Sequence, residues 1–195
     1  MNFGEPFGGL MPGARGAVLA VLLRTGAPLT GRRIHALVGV HSLGAVQRAL
    51  RDLERIGVIT TETIGRAGVH RINESHEAIA PLRSLASPIE MLTGVVRDAA
   101  LNVEAVIVFG SVARGEAHAD SDVDLAVIAP ETWDGRAGLH QQVHARLGSV
   151  CDVLHLTRED FARAPEDREP VVEEILRDGL ALVGSMPRPS RGKTS

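Results

Sequence analysis

The sequence predicts a two-part α/β chain: a small helical module closed by a β-hairpin, then a module in which strands and helices alternate. Three observations carry that reading. Arginine crowds the first third of the chain, the apolar period changes from helical to alternating beyond about residue 87, and Gly110-Ser111 precedes two aspartates one residue apart, Asp122 and Asp124.

The bulk properties set the frame. A length of 195 residues suffices for one ordinary domain or two small ones. With 44% apolar and 23% charged residues the composition is globular, unlike that of a disordered or membrane-embedded chain. No apolar run reaches the roughly 18 residues of a bilayer span. The opening MNFGEPFGGLMPG has no basic stretch followed by an apolar one, so neither a membrane partner nor a secretion signal is expected. Cys151 is alone and cannot form an internal disulfide, which fits a cytoplasmic location. The net charge of −3 conceals a split: residues 14–75 hold nine arginines against four acids and carry +5, leaving −8 for the remainder. A basic module beside an acidic one implies different partners, with nucleic acid the candidate for the basic one.

In the first module, residues 14–25 read as a helix with Val18, Val21 and Leu22 inward. Thr30 is placed to cap a second helix, GRRIHALV, and Ser42 a third, in which Val46, Leu50 and Leu53 share one face. The runs VITTETI and VHRI, separated by Gly65-Arg66-Ala67-Gly68, read as a hairpin. Helix, helix, turn, helix and hairpin is the order of a winged helix-turn-helix domain, placed at 14–84. The pattern resembles winged helices of the MarR/ArsR kind. That resemblance implies DNA binding, with Gln47 and Arg48 reading bases and Arg51 on base or backbone. Arg32 and Arg33 would lie near a phosphate, Ser42 would be among the DNA-binding residues, and Arg66 would be the wing's contact. Such proteins often dimerise, so a homodimer is expected. Use of this module for protein contacts alone is the competing reading.

Residues 74–103 look helical in two pieces, the second starting at the capping-box sequence Ser87-Pro88-Ile89-Glu90. The boundary is expected near residues 84–87, the second module at 88–184 and a flexible tail at 185–195. Strands are expected at Glu104–Phe109, Val123–Ile128, Cys151–Leu156 and Leu180–Val183. Helices are expected from Ser111, over Trp133–Leu147 and over Pro170–Asp178.

Alternate strand residues share a face roughly 6.5–7 Å apart, so Asp122 and Asp124 can lean together on divalent metal; their hard oxygens suit Mg²⁺ or Mn²⁺. Gly110-Ser111 follows the apolar strand AVIVF and opens a helix, where backbone approach and free N–H groups suit a phosphate. Gly110-Ser111, ten residues, then Asp122-Val123-Asp124-Leu125 resembles the DNA polymerase β-like nucleotidyltransferases in their minimal form, over about residues 88–184. The resemblance implies a mixed sheet, a third carboxylate at Asp152, and transfer of an NMP from an NTP such as ATP to a hydroxyl acceptor. Asp122, Asp124 and Asp152 would be both the catalytic and the metal-binding residues. Gly110, Ser111 and Arg114 would bind the nucleotide. The acceptor (RNA, protein or small molecule) stays open.

Other features read as structural. Asp120 and Ser121 suit a turn, His118 a solvated loop, His140 and His144 a solvated helix face, and Trp133 and Phe161 packing rather than base stacking. No G-x-x-x-x-G-K-[S/T] occurs, which excludes a P-loop. Two alternatives to an active enzyme remain: a DNA-binding regulator whose nucleotidyltransferase fold only senses nucleotide, and a component of a toxin–antitoxin pair.

Overall fold

A computed structural model describes residues 1–163 and 169–187. The chain divides into two compact units, Glu5–Pro88 and Met1–Gly4 together with the described residues from Ile89 onward.

The first unit opens with a 3-10 turn at Pro6–Gly9, followed by α1 (Ala14–Thr25), β1 (Leu29–Thr30), α2 (Gly31–Val38) and α3 (Leu43–Arg55). Then come β2 (Ile59–Ile64), β3 (Ala67–Ile72) and α4 (Ile79–Ala86). Both expected caps form: Thr30 Oγ1 accepts the Arg33 N–H and Ser42 Oγ the Ala45 N–H, each at 3.3 Å. α1 is apolar all round rather than on one stripe. It buries Val18 through Leu23 and forms the centre of a core completed by Ile34, Val46, Leu50, Leu53, Val58 and Ile59. The hairpin turn is tighter than expected. Ala67 and Gly68 are strand residues opposite Ile64 and Thr63, leaving Gly65 (φ 63°) and Arg66 as a two-residue loop. β1 adds a third antiparallel strand in the order β1-β3-β2. At two residues it is too short to leave a periodic trace.

In the second unit, α5 (Pro88–Ala99) starts at the expected proline, but Ser87 is the C-cap of α4, with φ −114° and ψ 79°. One residue between two helices cannot also take the extended backbone of an N-cap, so no capping box forms there among the described residues. There follow β4 (Ala105–Phe109), α6 (Gly110–Arg114), β5 (Val123–Ile128), α7 (Arg136–Leu147), β6 (Cys151–Leu156), α8 (Arg158–Ala162), α9 (Pro170–Asp178) and β7 (Leu180–Val183). The sheet order is β6-β5-β4-β7. β5 and β6 run parallel and β4 antiparallel to both β5 and β7, which makes a mixed sheet.

Side-chain alternation gives the sheet two buried faces. Val106, Val108, Val123, Leu125 and Val127 meet α5 and α7; Ala105, Ile107, Ala126 and Ile128 meet Phe161 of α8 and Val172 and Ile175 of α9. A strand buried on both faces reads as a continuous apolar run, as AVIVF does. Met1 and Phe3 also pack on the first of these cores, far from it in sequence.

Some boundaries differ from expectation. α7 begins at Arg136, because Trp133 closes a turn onto Pro130 O (2.9 Å) and packs against Gly135, where a Cβ would lie 2.7 Å from its indole. α8 is a helix beyond those expected, although Thr157 and Asp160 form a reciprocal capping box at its start. Of the expected tail, residues 188–195 lie outside the described residues, while Met186 packs against the Phe161 core. Among the described residues no helix is long and apolar enough to cross a membrane.

Leu125 lies in a central strand with 0% of its surface exposed. Leu125→Ala should cost about 2–5 kcal/mol through lost burial and the cavity left behind, read as a lower urea midpoint without a change in slope.

Candidate active site and basic surface

β5 carries the centre of the site. Its even-numbered residues face α8 and α9, so Asp124 projects to that side while Val123, Leu125 and Val127 fill the opposite core. The register then builds a cluster: Asp124 lies opposite Asp152 of the parallel strand β6 and opposite Phe109 of β4. Neighbouring strands stand about 4.8 Å apart, so the two carboxylates are close neighbours on one face. Asp122 is exposed and sits just before β5 begins.

Gly110 starts α6 directly after Phe109, with φ 65°, a conformation that side chains disfavour. A Cβ here would also collide with Asp124 Oδ2. Two independent constraints therefore demand glycine at this position. Burial pushes the Asp124 carboxyl above its ordinary value, and the negative charges of Asp152, Asp122 and Glu174 push it the same way, with Arg114 opposing. Burial, then Asp152, Asp124 and Asp122, push the neighbouring Cys151 thiol up to about 12, so it stays protonated and unreactive.

Ser111 begins the wall made by α6, and among the described residues its Oγ has no partner. Arg114 ends that helix. Its Nε donates to Glu116 Oε2 (2.9 Å) and its Nη1 to Glu174 Oε1 (2.8 Å), with Asp178 3.8 Å from Nη1. Glu174 and Asp178, one turn apart on α9, thus belong to the site's surroundings, and the sequence reading missed them. Their spacing on the amphipathic helix PVVEEILRD, opposite buried Val172 and Ile175, was the available signal. In the loop between the Gly-Ser turn and the aspartates, Ser121 Oγ accepts the His118 N–H (2.8 Å) and Ser121 N–H donates to His118 O (3.1 Å). This clasp gives Ser121 the turn role its residue type suggests. His118 and Asp120 are exposed.

The resemblance to polymerase β-like nucleotidyltransferases implies divalent metal. Asp122, Asp124 and Asp152 supply hard oxygen donors, the chemistry that suits Mg²⁺ or Mn²⁺. Among the described residues no three His, Cys, Asp or Glu side chains already stand grouped to hold an ion.

The remaining candidates are structural. Trp133 meets His155 edge-on at 5.2 Å, and Phe161 is buried in the core below the sheet. His140 Nδ1 lies 2.6 Å from Cys151 O, to which it donates, while His144 is exposed.

In the first unit the arginines sort by partner. Asp52 takes Arg15 and Arg55, Glu74 takes Arg83, and Arg71 donates to Thr60 Oγ1. Among the described residues Arg32, Arg33, Arg48, Arg51 and Arg66 have no such partner. Arg32, Gln47, Arg51 and Arg66 line one cavity of about 740 Å³ between the start of α2, the face of α3 and the hairpin, with Leu50 and His70 in its wall and Glu54 as its one acid. Burial holds His70 below its ordinary value, against Glu54, and its Nδ1 meets Thr61 Oγ1 at 3.0 Å. Arg48 lines a different cavity with Arg15 and Asp52, while Arg33 and Ser42 line neither; the Ser42 hydroxyl is spent on its helix cap.

Residues 94–184 match the family model Polymerase beta, Nucleotidyltransferase. The match supports a polymerase β-like nucleotidyltransferase domain over that segment, and the mixed sheet fits it. Similar solved structures include a toxin–antitoxin with AMP-PNP, 25% identical, spanning 51% of this chain and 75% of that one at a TM-score of 0.40. Others are a tri-AMPylated Shewanella oneidensis HEPN toxin in complex with MNT antitoxin (23% identity, 50% and 70%, TM-score 0.34) and the toxin–antitoxin MntA–HepT (23%, 50% and 70%, 0.34). No curated protein matches the chain.

The Asp124 environment sets a pH dependence. A carboxyl raised in the folded state binds protons more tightly there than in the unfolded chain. Stability present below its ordinary value is therefore lost as pH rises through the folded value. Asp124→Asn should melt at a higher temperature than the parent at pH 7, and the gap should close as pH falls below the ordinary aspartate value of 3.8. Thermal melts across pH 3–8 measure it.

Proposed function

We propose that the second unit, about residues 88–184, transfers an NMP from an NTP to a hydroxyl acceptor and releases pyrophosphate. The observation that carries this reading is the register that sets Asp124 beside Asp152 over Gly110. Supporting it, residues 94–184 match a nucleotidyltransferase family. Asp122, Asp124 and Asp152 would hold Mg²⁺ or Mn²⁺, which when bound neutralises charge on the α-phosphate and the departing pyrophosphate. Gly110 admits a phosphate to the backbone at the start of α6, where Ser111 Oγ donates to it, and Arg114 faces the outer phosphates. The acceptor oxygen attacks the α-phosphorus as the bond to pyrophosphate breaks, and the hydroxyl proton passes to Asp152. Positioning and charge carry most of such a reaction.

The first unit we read as a winged helix that binds DNA through the cavity face bearing Arg32, Gln47, Arg51 and Arg66. Three of the unpartnered arginines meet at one concavity, as phosphate neutralisation requires. The loop residue Arg66 would be the wing's contact.

Two experiments test these readings. Protein with Mg²⁺ or Mn²⁺ and each α-labelled NTP in cell extract should move label onto RNA, protein or a small molecule. Asp122→Ala/Asp124→Ala should reduce this at least a hundredfold, on the order of the loss when charge stabilisation is removed from a transition state. No metal-dependent transfer under any condition would leave a nucleotide-sensing DNA-binding regulator as the better account. For the first unit, fluorescence anisotropy on duplex DNA should show affinity falling with salt. Arg51→Ala and Arg66→Ala should each flatten the salt slope by about 1, and a slope unchanged in both would remove this face as the interface.

A further inference from the structure

We propose that Glu174 on α9 is a positioning residue that orients Arg114 towards the phosphates of a bound nucleotide; the inference rests on the nucleotidyltransferase reading above. Arg114 is gripped at two points on different sides of its guanidinium: Nε by Glu116 and Nη1 by Glu174, at 2.9 and 2.8 Å. Two contacts on a rigid planar guanidinium fix its plane. The remaining terminal nitrogen, Nη2, has no partner among the described residues and so keeps its donors for a ligand.

Arg114 and Glu174 are about a third exposed, so a ligand can reach them. The helix that ends at Arg114, α6, packs against β5, the strand of Asp124, and against α9, the helix of Glu174. Glu174 is itself held by its helix, because Val172 and Ile175 anchor α9 in the core on the Asp124 face of the sheet. A surface arginine without such a grip samples many rotamers, and ordering it on binding costs affinity.

The role has a distinctive sign. Taken as a charge alone, Glu174 repels a triphosphate, so Glu174→Gln should tighten nucleotide binding. Taken as the grip on Arg114, it favours the triphosphate, so the same substitution should loosen binding.

The test is the dissociation constant of a fluorescent, non-transferable ATP analogue, by anisotropy, with and without Mg²⁺. It is measured for the parent, Glu174→Gln, Arg114→Ala and the double variant, alongside urea midpoints. The expected result is a dissociation constant about tenfold higher in Glu174→Gln, the loss of one charge-assisted contact, with a nearly unchanged urea midpoint. In the Arg114→Ala background the substitution should no longer loosen binding and should tighten it slightly. If Glu174→Gln does not fold, Glu174→Asp, which shortens the grip by one methylene, replaces it with the same sign expected. Tightening or no change in the single variant would overturn the inference while leaving the nucleotidyltransferase reading intact, and so would loosening that persists without Arg114. A parent protein that binds no analogue at all would overturn both.

Discussion

Carboxylates that repel one another, held together by strand register, are the constraint on which the second unit turns. Asp124 cannot leave: its neighbours along β5 are buried on the far face, and the ladder to β6 sets Asp152 beside it. The surroundings give way instead. Gly110 has no side chain where Asp124 Oδ2 lies, and its left-handed backbone lets the chain leave β4 and enter α6 at once. Burial and like charge both push the Asp124 carboxyl above its ordinary value. Perturbed carboxylates of this kind cluster at functional sites.

Much of this was legible in the order of residues. AVIVF, VDLAVI and CDVLHL announce strands by composition, and the spacing of the Gly-Ser turn from the aspartate pair marks the site. The caps at Thr30 and Ser42 were readable because a hydroxyl residue directly preceding an apolar-periodic run has few other uses. What escaped the reading is non-local or too small. The pairing of β1 rests on two residues, and the amino terminus is held by Leu147 O, 146 positions away, with Met1 and Phe3 packed on the second unit. The hydrogen bond from exposed His140 on α7 to Cys151 O on β6 joins residues that no local pattern links. The helical spacing of Glu174 showed only that it faces away from the core; its partner, Arg114, lies sixty residues earlier.

The first unit shows why an arginine count alone is a blunt guide. Its charge surplus is distributed unevenly, since Asp52 on α3 neutralises two arginines at once, Arg15 from α1 and Arg55 from its own helix. These are exposed pairs and add little stability. Their effect is on the map of free charge, which they shift towards the cavity face. Gln47 and Arg51, one turn apart on α3, point there with Arg32 and Arg66, whereas Arg48 points to the face that Asp52 also occupies. Helical phase therefore separates residues that adjacency in the sequence groups together.

The end of the described chain joins folding to the site. β7 completes the sheet beside β4, and α9 seals the lower face with Val172 and Ile175, so both contribute to the core. The same helix carries Glu174 and Asp178 to Arg114, and the arginine's charge partly offsets the repulsion at Asp124. Burial of α9 fixes its axial rotation, because an amphipathic helix with two fully buried residues has one orientation available. That rotation decides which acidic residues face Arg114. The orientation of the arginine is thus set by hydrophobic packing on the far side of α9, and a change confined to the core can redirect the charge of Arg114 without touching any polar group.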